Sequence, residues 1–265
     1  EIDVNKPTYI PNPPAVSRFN ELPVPIQETL TVIAKGVRNI SGISYQWFYD
    51  RWIKYIGNVG QDLVESIYSF VDYRPLPVTQ LVSEAKYKTH TAQVELLNFG
   101  WRGWEGNFPT SLVSKCPANP ALEEKTIAFY QEAVRTSPLR LQPLTCYYHQ
   151  DPRTDKFAGT ALTGVQSYMG SALPELTGSV VFCDLARKQK NQAPTRGVLA
   201  YTRVSPDFKQ SDFAVIEIED NFGTESAYYV SLGTNSDQTR LFLGVHSSMK
   251  VTDWNQGSVW EIVPC

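Results

Sequence analysis

Short strand-like segments recur along most of this chain, and turn residues separate them. Residues 29–34, 43–48 and 52–57 are rich in β-branched and aromatic side chains, and further segments of this kind follow from residue 145 to the end. Strands spaced about eight to twelve residues apart are typical of meandering all-β folds such as sandwiches and propellers. Helices do not alternate with them, so a doubly wound α/β fold is not expected.

Two parts of the chain depart from this pattern. Residues 1–26 are rich in proline, which predicts an extended lead-in with little regular structure. Asn119-Pro120 is a helix-start signal, and acidic residues and apolar residues at helical spacing follow it. We therefore predict one inserted helix near residues 120–136, which Pro138 ends.

The composition excludes several classes of protein. A hydrophobic content of 42% is enough for a packed core, and a net charge of −3 argues against a nucleic-acid-binding surface. No apolar run is long enough for a transmembrane helix. The low charged fraction of 19%, with only two methionines, favours a secreted, extracellular or periplasmic protein. A chain that begins at Glu1 fits a processed polypeptide.

The four cysteines, Cys116, Cys146, Cys183 and Cys265, do not have the spacing of a zinc site. Cys116 and Cys146 flank the predicted insertion, and a disulfide between them would close that long loop. The alternative is that some of the thiols are free and buried.

Five segments carry more specific information. In chain order they are GVRNISG (36–42), YIGNVGQ (55–61), LNFGWRGWEGN (97–107), LPELTGSVVF (173–182) and GSVWEIVP (257–264). Together they resemble the motifs of the glucose/sorbosone dehydrogenase family, which are six-bladed quinoprotein β-propellers. The resemblance covers nearly the whole chain but only the C-terminal half or more of the family domain.

The resemblance implies a fold and a partner. It implies that residues 27–265 form the C-terminal blades of a β-propeller. A blade takes about 40–50 residues, so this chain is too short for six of them. Exposed strand edges are a hazard for a soluble protein. We therefore expect another polypeptide, or an N-terminal half, to complete the ring.

The resemblance also implies a cofactor, pyrroloquinoline quinone, a planar tricarboxylate that would lie beside Arg38 and Asn39. Arginine suits this task because its fork donates two hydrogen bonds to a carboxylate. The alternative is that Arg38 pairs with an acidic neighbour and that Asn39 stabilises a turn. Backbone carbonyls near Gly60 and Gln61 correspond to a family loop that can bind calcium. A plain β-turn is the alternative for these two residues.

Two further residues are candidates for the rim of a substrate site. His149 matches a histidine common in relatives, and Trp104 could stack on a sugar or a quinone. The alternatives are a hydrogen-bonded loop histidine and a tryptophan that packs in the core. The chain also departs from the enzymes: no histidine matches the family's catalytic base, and residues 225–230 lack the arginines of the last blade.

Two functions follow from the resemblance. The first is a quinoprotein-type oxidoreductase that oxidises a sugar hydroxyl by hydride transfer to the quinone. The second is a non-catalytic extracellular propeller that binds a protein or a glycan, or serves as an assembly component, and has lost the cofactor site. The motifs favour the first function and the departures favour the second, because fold alone does not determine activity.

Overall fold

A computed structural model describes residues 34–72, 97–110, 141–149, 157–188, 193, 195–207, 209–250 and 252–265. These residues form β-strands joined by turns, with one short 3-10 helix at Pro174–Leu176. The prediction of an all-β chain is confirmed. The predicted lead-in over residues 1–26 and the predicted helix over 120–136 lie outside the described residues.

The strands are numbered in chain order. They are β1 Ala34–Lys35, β2 Ile40–Phe48, β3 Arg51–Asn58, β4 Val64–Asp72, β5 Leu97–Asn98, β6 Trp104–Glu105, β7 Phe108–Pro109, β8 Thr145–Tyr148, β9 Leu162–Tyr168, β10 Ser179–Asp184, β11 Val198–Thr202, β12 Phe213–Ile216, β13 Tyr228–Thr234, β14 Leu241–His246 and β15 Gly257–Ile262.

Three antiparallel sheets account for most of these strands. The first sheet has the order β2-β3-β4-β8, the second has β9-β10-β11-β12, and the third has β13-β14-β15. Two smaller pairs complete the set, the parallel pair β1-β5 and the antiparallel pair β6-β7. None of the described sheets closes on itself.

The β2–β3 hairpin shows how local sequence sets the pairing. Tyr49 and Asp50 form its two-residue turn, with φ values of 52° and 55°. Positive φ at both turn residues matches the right-handed twist of the flanking strands. The register then places Trp47 opposite Trp52, whose ring centroids lie 5.4 Å apart.

The three sheets pack face to face through their first strands, because β2 and β13 both contact β9. Alternation along β2 buries Ser44 and Gln46 on the side of the second sheet, while Tyr45 and Trp47 remain exposed on the other side. Ser44 confirms this direction, since its hydroxyl lies 2.9 Å from the hydroxyl of Ser167 in β9.

Two apolar cores result from this packing. The first lies between the first and second sheets and includes Tyr55, Val165 and Phe182, all at 0% exposure. The second lies between the second and third sheets and includes Leu199 and Leu243. Each such side chain contributes about 1.5–3 kcal/mol by leaving water, so the cores hold the sheets together.

Among the described residues, no helix is both long and apolar enough to cross a membrane.

Candidate functional site

The residues that the sequence singles out meet around one turn, residues 59–63 between β3 and β4, which we call the Gly60 loop. The Asn58 side chain accepts hydrogen bonds from the backbone N–H groups of Arg38, at 2.9 Å, and Asn39, at 3.3 Å. The N–H of Val59 donates to the carbonyl of Asn39 at 2.9 Å. Arg38, Asn39 and Gly60 are therefore neighbours.

The Arg38 guanidinium is held in place on two sides. Its Nη1 donates to the carbonyl oxygen of Gly60 at 2.9 Å and more weakly to that of Val59 at 3.5 Å. The same group lies over the Trp101 ring, 5.6 Å from its centroid, which adds a cation–π attraction. The partners of Arg38 are thus carbonyls and an aromatic ring, and no described carboxylate forms an ion pair with it.

Glu105 organises the far side of the Gly60 loop. Its buried carboxylate accepts hydrogen bonds from three successive backbone N–H groups, those of residues 62, 63 and 64, and the shortest, from Leu63, is 2.8 Å. Charge-assisted bonds of this kind are stronger than neutral ones. Glu105 therefore fixes the loop. In the sequence, Glu105 was marked only as part of the GWRGWEG segment (100–106).

His149 is joined to the Gly60 loop by hydrogen bonds, both directly and through Glu65. Its Nε2 lies 2.5 Å from Oε1 of Glu65, and both side chains are buried. The other carboxylate oxygen of Glu65 accepts from the N–H of Gly60 at 3.3 Å, and the N–H of His149 donates to the carbonyl of Leu63 at 3.0 Å. His149 thus takes the place expected of a hydrogen-bonded loop histidine.

The two tryptophans of the segment have different places. Trp101 is half-buried, and the Arg38 guanidinium lies over its ring. Its backbone N–H donates to the carbonyl of Gly36 at 2.8 Å. Trp104 is half-buried in β6, next to Glu105. Trp101 therefore lies against Arg38, while the placement of Trp104 at the rim of a substrate site stays a prediction.

Calcium, the ion that the resemblance implies near Gly60 and Gln61, takes six to eight oxygen ligands. The Gly60 carbonyl already accepts a hydrogen bond from the cationic Arg38, while Glu65 and Glu105 accept hydrogen bonds from N–H groups of the loop. Gln61 is exposed. No group of three or more His, Cys, Asp or Glu in the described part of the chain could hold a metal. These contacts favour a plain turn at Gly60 and Gln61 over a calcium site.

A second buried carboxylate, Asp184 at the end of β10, joins the first and second sheets. It accepts hydrogen bonds from the Tyr147 hydroxyl at 2.8 Å, from the N–H and hydroxyl of Thr160, and from the N–H groups of Ala161 and Ala186. Tyr147 belongs to the first sheet, through β8, and Asp184 to the second. Asp184 therefore links these sheets and has a structural role.

Burial raises the pKa of Asp184 from 3.8 to about 6, although hydrogen bonds from Thr160, Tyr147 and Ala186 oppose the shift. A carboxyl group with a raised folded-state pKa contributes its stability below the unfolded pKa and loses it as the pH rises through the folded pKa. The shift of about two units corresponds to about 3 kcal/mol.

We expect this loss to appear between pH 4 and pH 7. Urea unfolding of the wild type and of Asp184→Asn across that range isolates it, because asparagine cannot ionise. The free energy of unfolding of the wild type should fall relative to the variant by about 3 kcal/mol as the pH rises. A difference that stays constant with pH would show that the pKa of Asp184 is not raised.

The described cysteines do not pair with one another. Burial raises the pKa of Cys183 to about 12 and that of Cys146 to about 11, so both thiols stay protonated at neutral pH. Cys116, the predicted partner of Cys146, lies outside the described residues.

No protein-family model matches the chain, and no curated protein matches it significantly.

Proposed function

We propose that this chain is part of a β-propeller that binds a carboxylate-bearing ligand beside Arg38. The successive antiparallel sheets, packed through their first strands, support the propeller arrangement. The single observation that supports a carboxylate-bearing ligand is the Arg38 guanidinium, which is held in place by a carbonyl and an aromatic ring. Its described hydrogen bonds use only Nη1, which leaves Nε and Nη2 as a donor pair for a carboxylate.

Pyrroloquinoline quinone is the ligand that we propose, and a sugar is the proposed substrate of the resulting oxidoreductase. The quinone when bound would supply the hydride acceptor. Arg38 would hold one of its carboxylates, and Trp101 and the Gly60 carbonyl would keep the guanidinium in place. The motif order of the sequence supports this choice. We propose a secreted, extracellular or periplasmic location, which the low charged fraction of 19% supports.

A second candidate is a recognition propeller without catalysis. One observation favours it: the polar groups of the Gly60 loop satisfy one another, since Glu65 binds His149 and Glu105 binds the loop N–H groups. Such a loop is a rigid scaffold. A general base must reach the proton that it removes, and His149 is only 7% exposed.

Titration of the purified chain with pyrroloquinoline quinone, followed by quinone absorbance, tests the proposal. We expect saturable binding by the wild type. Arg38→Ala should weaken it roughly ten- to a hundredfold, because a hydrogen bond to a charged group contributes about 1.5–3 kcal/mol. Arg38→Lys should be intermediate, since lysine keeps the charge and loses the fork.

Arg240→Ala is the matched control, because Arg240 is an exposed arginine paired with Glu261 in the third sheet. It should bind the quinone as the wild type does. Equal affinities for wild type and Arg38→Ala would remove Arg38 from the site. Quinone binding without sugar-dependent reduction of an artificial electron acceptor would favour the recognition propeller, and no binding at all would reject the quinone.

A further inference from the structure

The contact between the first and second sheets and the contact between the second and third sheets have the same arrangement of residues. Val165 lies over the cross-strand pair Gly42 and Gly57, with its backbone over Gly42 and its side chain over Gly57. The N of Val165 lies 2.8 Å from where a Cβ on Gly42 would be. The backbone of Leu232 lies over Gly164 in the same way, with its N at 2.6 Å from the corresponding position. In both cases a small residue on one sheet admits an aliphatic residue of the next sheet.

The first strand of each sheet has a small residue followed directly by an aliphatic residue. The pairs are Gly42-Ile43 in β2, Gly164-Val165 in β9 and Ser231-Leu232 in β13. The aliphatic residue faces the preceding sheet, and the small residue faces the following one. Val165 and Leu232 are 0% and 7% exposed, whereas Ile43 is 47% exposed. On the same face, Ile56, which pairs with Ile43, is buried in a cluster with Phe99. No described sheet covers Ile43 itself as the first sheet covers Val165.

The outer face of the third sheet presents the matching small residues. Ser231 is exposed and lies opposite Gly244, and Gly244 lies opposite Val259, which is 74% exposed. Gly233, two residues along on the same face, has no described atom within 4 Å of where a Cβ would be. Gly244 itself is buried, because the Ser231 hydroxyl lies where a Cβ of Gly244 would be. The exposed small residue of this face is therefore Ser231, and no described residue of another sheet packs over it as Val165 packs over Gly42.

We infer that a second copy of this chain covers these two faces, with Ile43 of one copy packed over Ser231 of the other. The contact continues the interface already formed between the sheets, and both of its halves are present on one chain. A two-fold axis would repeat it at the other end, so two copies would close into a ring of six sheets. This inference narrows the expected ring-completing polypeptide to a second copy.

The exposed part of this face of the first sheet is apolar. Beside Ile43, the side chains of Tyr45, Trp47 and Trp52 are each more than 40% exposed, and together with the turn at residues 236–238 they border a groove of about 600 Å³. Contiguous exposed apolar surface of this kind marks protein interaction sites. A packed sheet would bury these side chains.

Light scattering coupled to size exclusion tests the inference on the chain itself. We expect 59.6 kDa, twice the 29.8 kDa of one copy. A species of 29.8 kDa at micromolar concentration would overturn the inference. Species that grow with concentration would overturn the closed ring, because they indicate open-ended association.

Two variants test the mode of contact. Ile43→Asp removes the aliphatic residue, and Ser231→Arg removes the small residue at an exposed position. Each should give a monomer, while Met249→Asp, at an exposed loop position, should remain a dimer. The two variants decide independently, so a variant that fails to fold leaves the other as the test.

Mixing the two variants gives the most specific test of the contact between Ile43 and Ser231. A mixed pair retains one intact junction, in which Ile43 of one copy meets Ser231 of the other. We therefore expect the mixture to form some dimer where each variant alone forms none. A Ser231→Arg protein that dimerises like the wild type would overturn the inference, since it would mean that the first sheets pair with each other.

Discussion

Replacing Asp184 by alanine is expected to lower the free energy of unfolding by about 3–5 kcal/mol, because several buried donors would lose their acceptor at once. The Tyr147 hydroxyl and the N–H groups of Thr160, Ala161 and Ala186 all point at this carboxylate. Such groups are costly when they are buried without a partner. Urea unfolding at neutral pH measures the effect.

Tyr147→Phe is the control for this prediction. It removes one donor and keeps the ring that packs against Phe157 and Phe182. We expect a loss of about 1–2 kcal/mol, the value of a single buried hydrogen bond. If Asp184→Ala cost no more than Tyr147→Phe, the carboxylate would not be the link between the two sheets.

Gly60→Ala is expected to destabilise the protein by about 3 kcal/mol, since overpacking of a tight site forces the backbone to move. A Cβ at this position would overlap the carbonyl of Val64 and lie 3.0 Å from Oε2 of Glu105. The Val64 carbonyl is backbone and cannot rotate away. The same variant should also weaken ligand binding, because the Gly60 carbonyl holds Arg38.

Gln61→Ala is the control for Gly60→Ala in the same loop. Gln61 is exposed, so the change should alter the free energy of unfolding by no more than about 0.5 kcal/mol. Thermal unfolding of both variants compares them directly. Equal stabilities would show that the Gly60 loop relaxes to admit a methyl group.

The strands of this protein could be predicted from the sequence more fully than the candidate site. The β2–β3 hairpin could be predicted, because side-chain alternation and turn residues are local signals. The contact of Arg38 with Gly60 joins two motifs that the sequence marked separately. Asn58 and Glu105, which hold that contact together, were missed, because a buried polar residue looks like a surface residue until its partners are known.

The same reason explains the outcome for His149. Its imidazole could have faced a substrate, and only the approach of Glu65, 84 positions away in sequence, shows that it is buried in a pair. Trp101 and Trp104 are equally ambiguous in sequence, since both belong to one segment. The stacking of Arg38 on Trp101 distinguishes them.

By itself, the sequence determined the all-β character of the chain, because period and turn chemistry act over a few residues. It also determined where the small and aliphatic residues of each first strand lie. Only the tertiary structure decided which of them meet, since junctions such as Val165 over Gly42 join residues more than a hundred positions apart. It likewise decided that Ile43 and Ser231 lie on two faces with no described sheet against them. Exposure depends on the packing of whole sheets, which no local pattern contains.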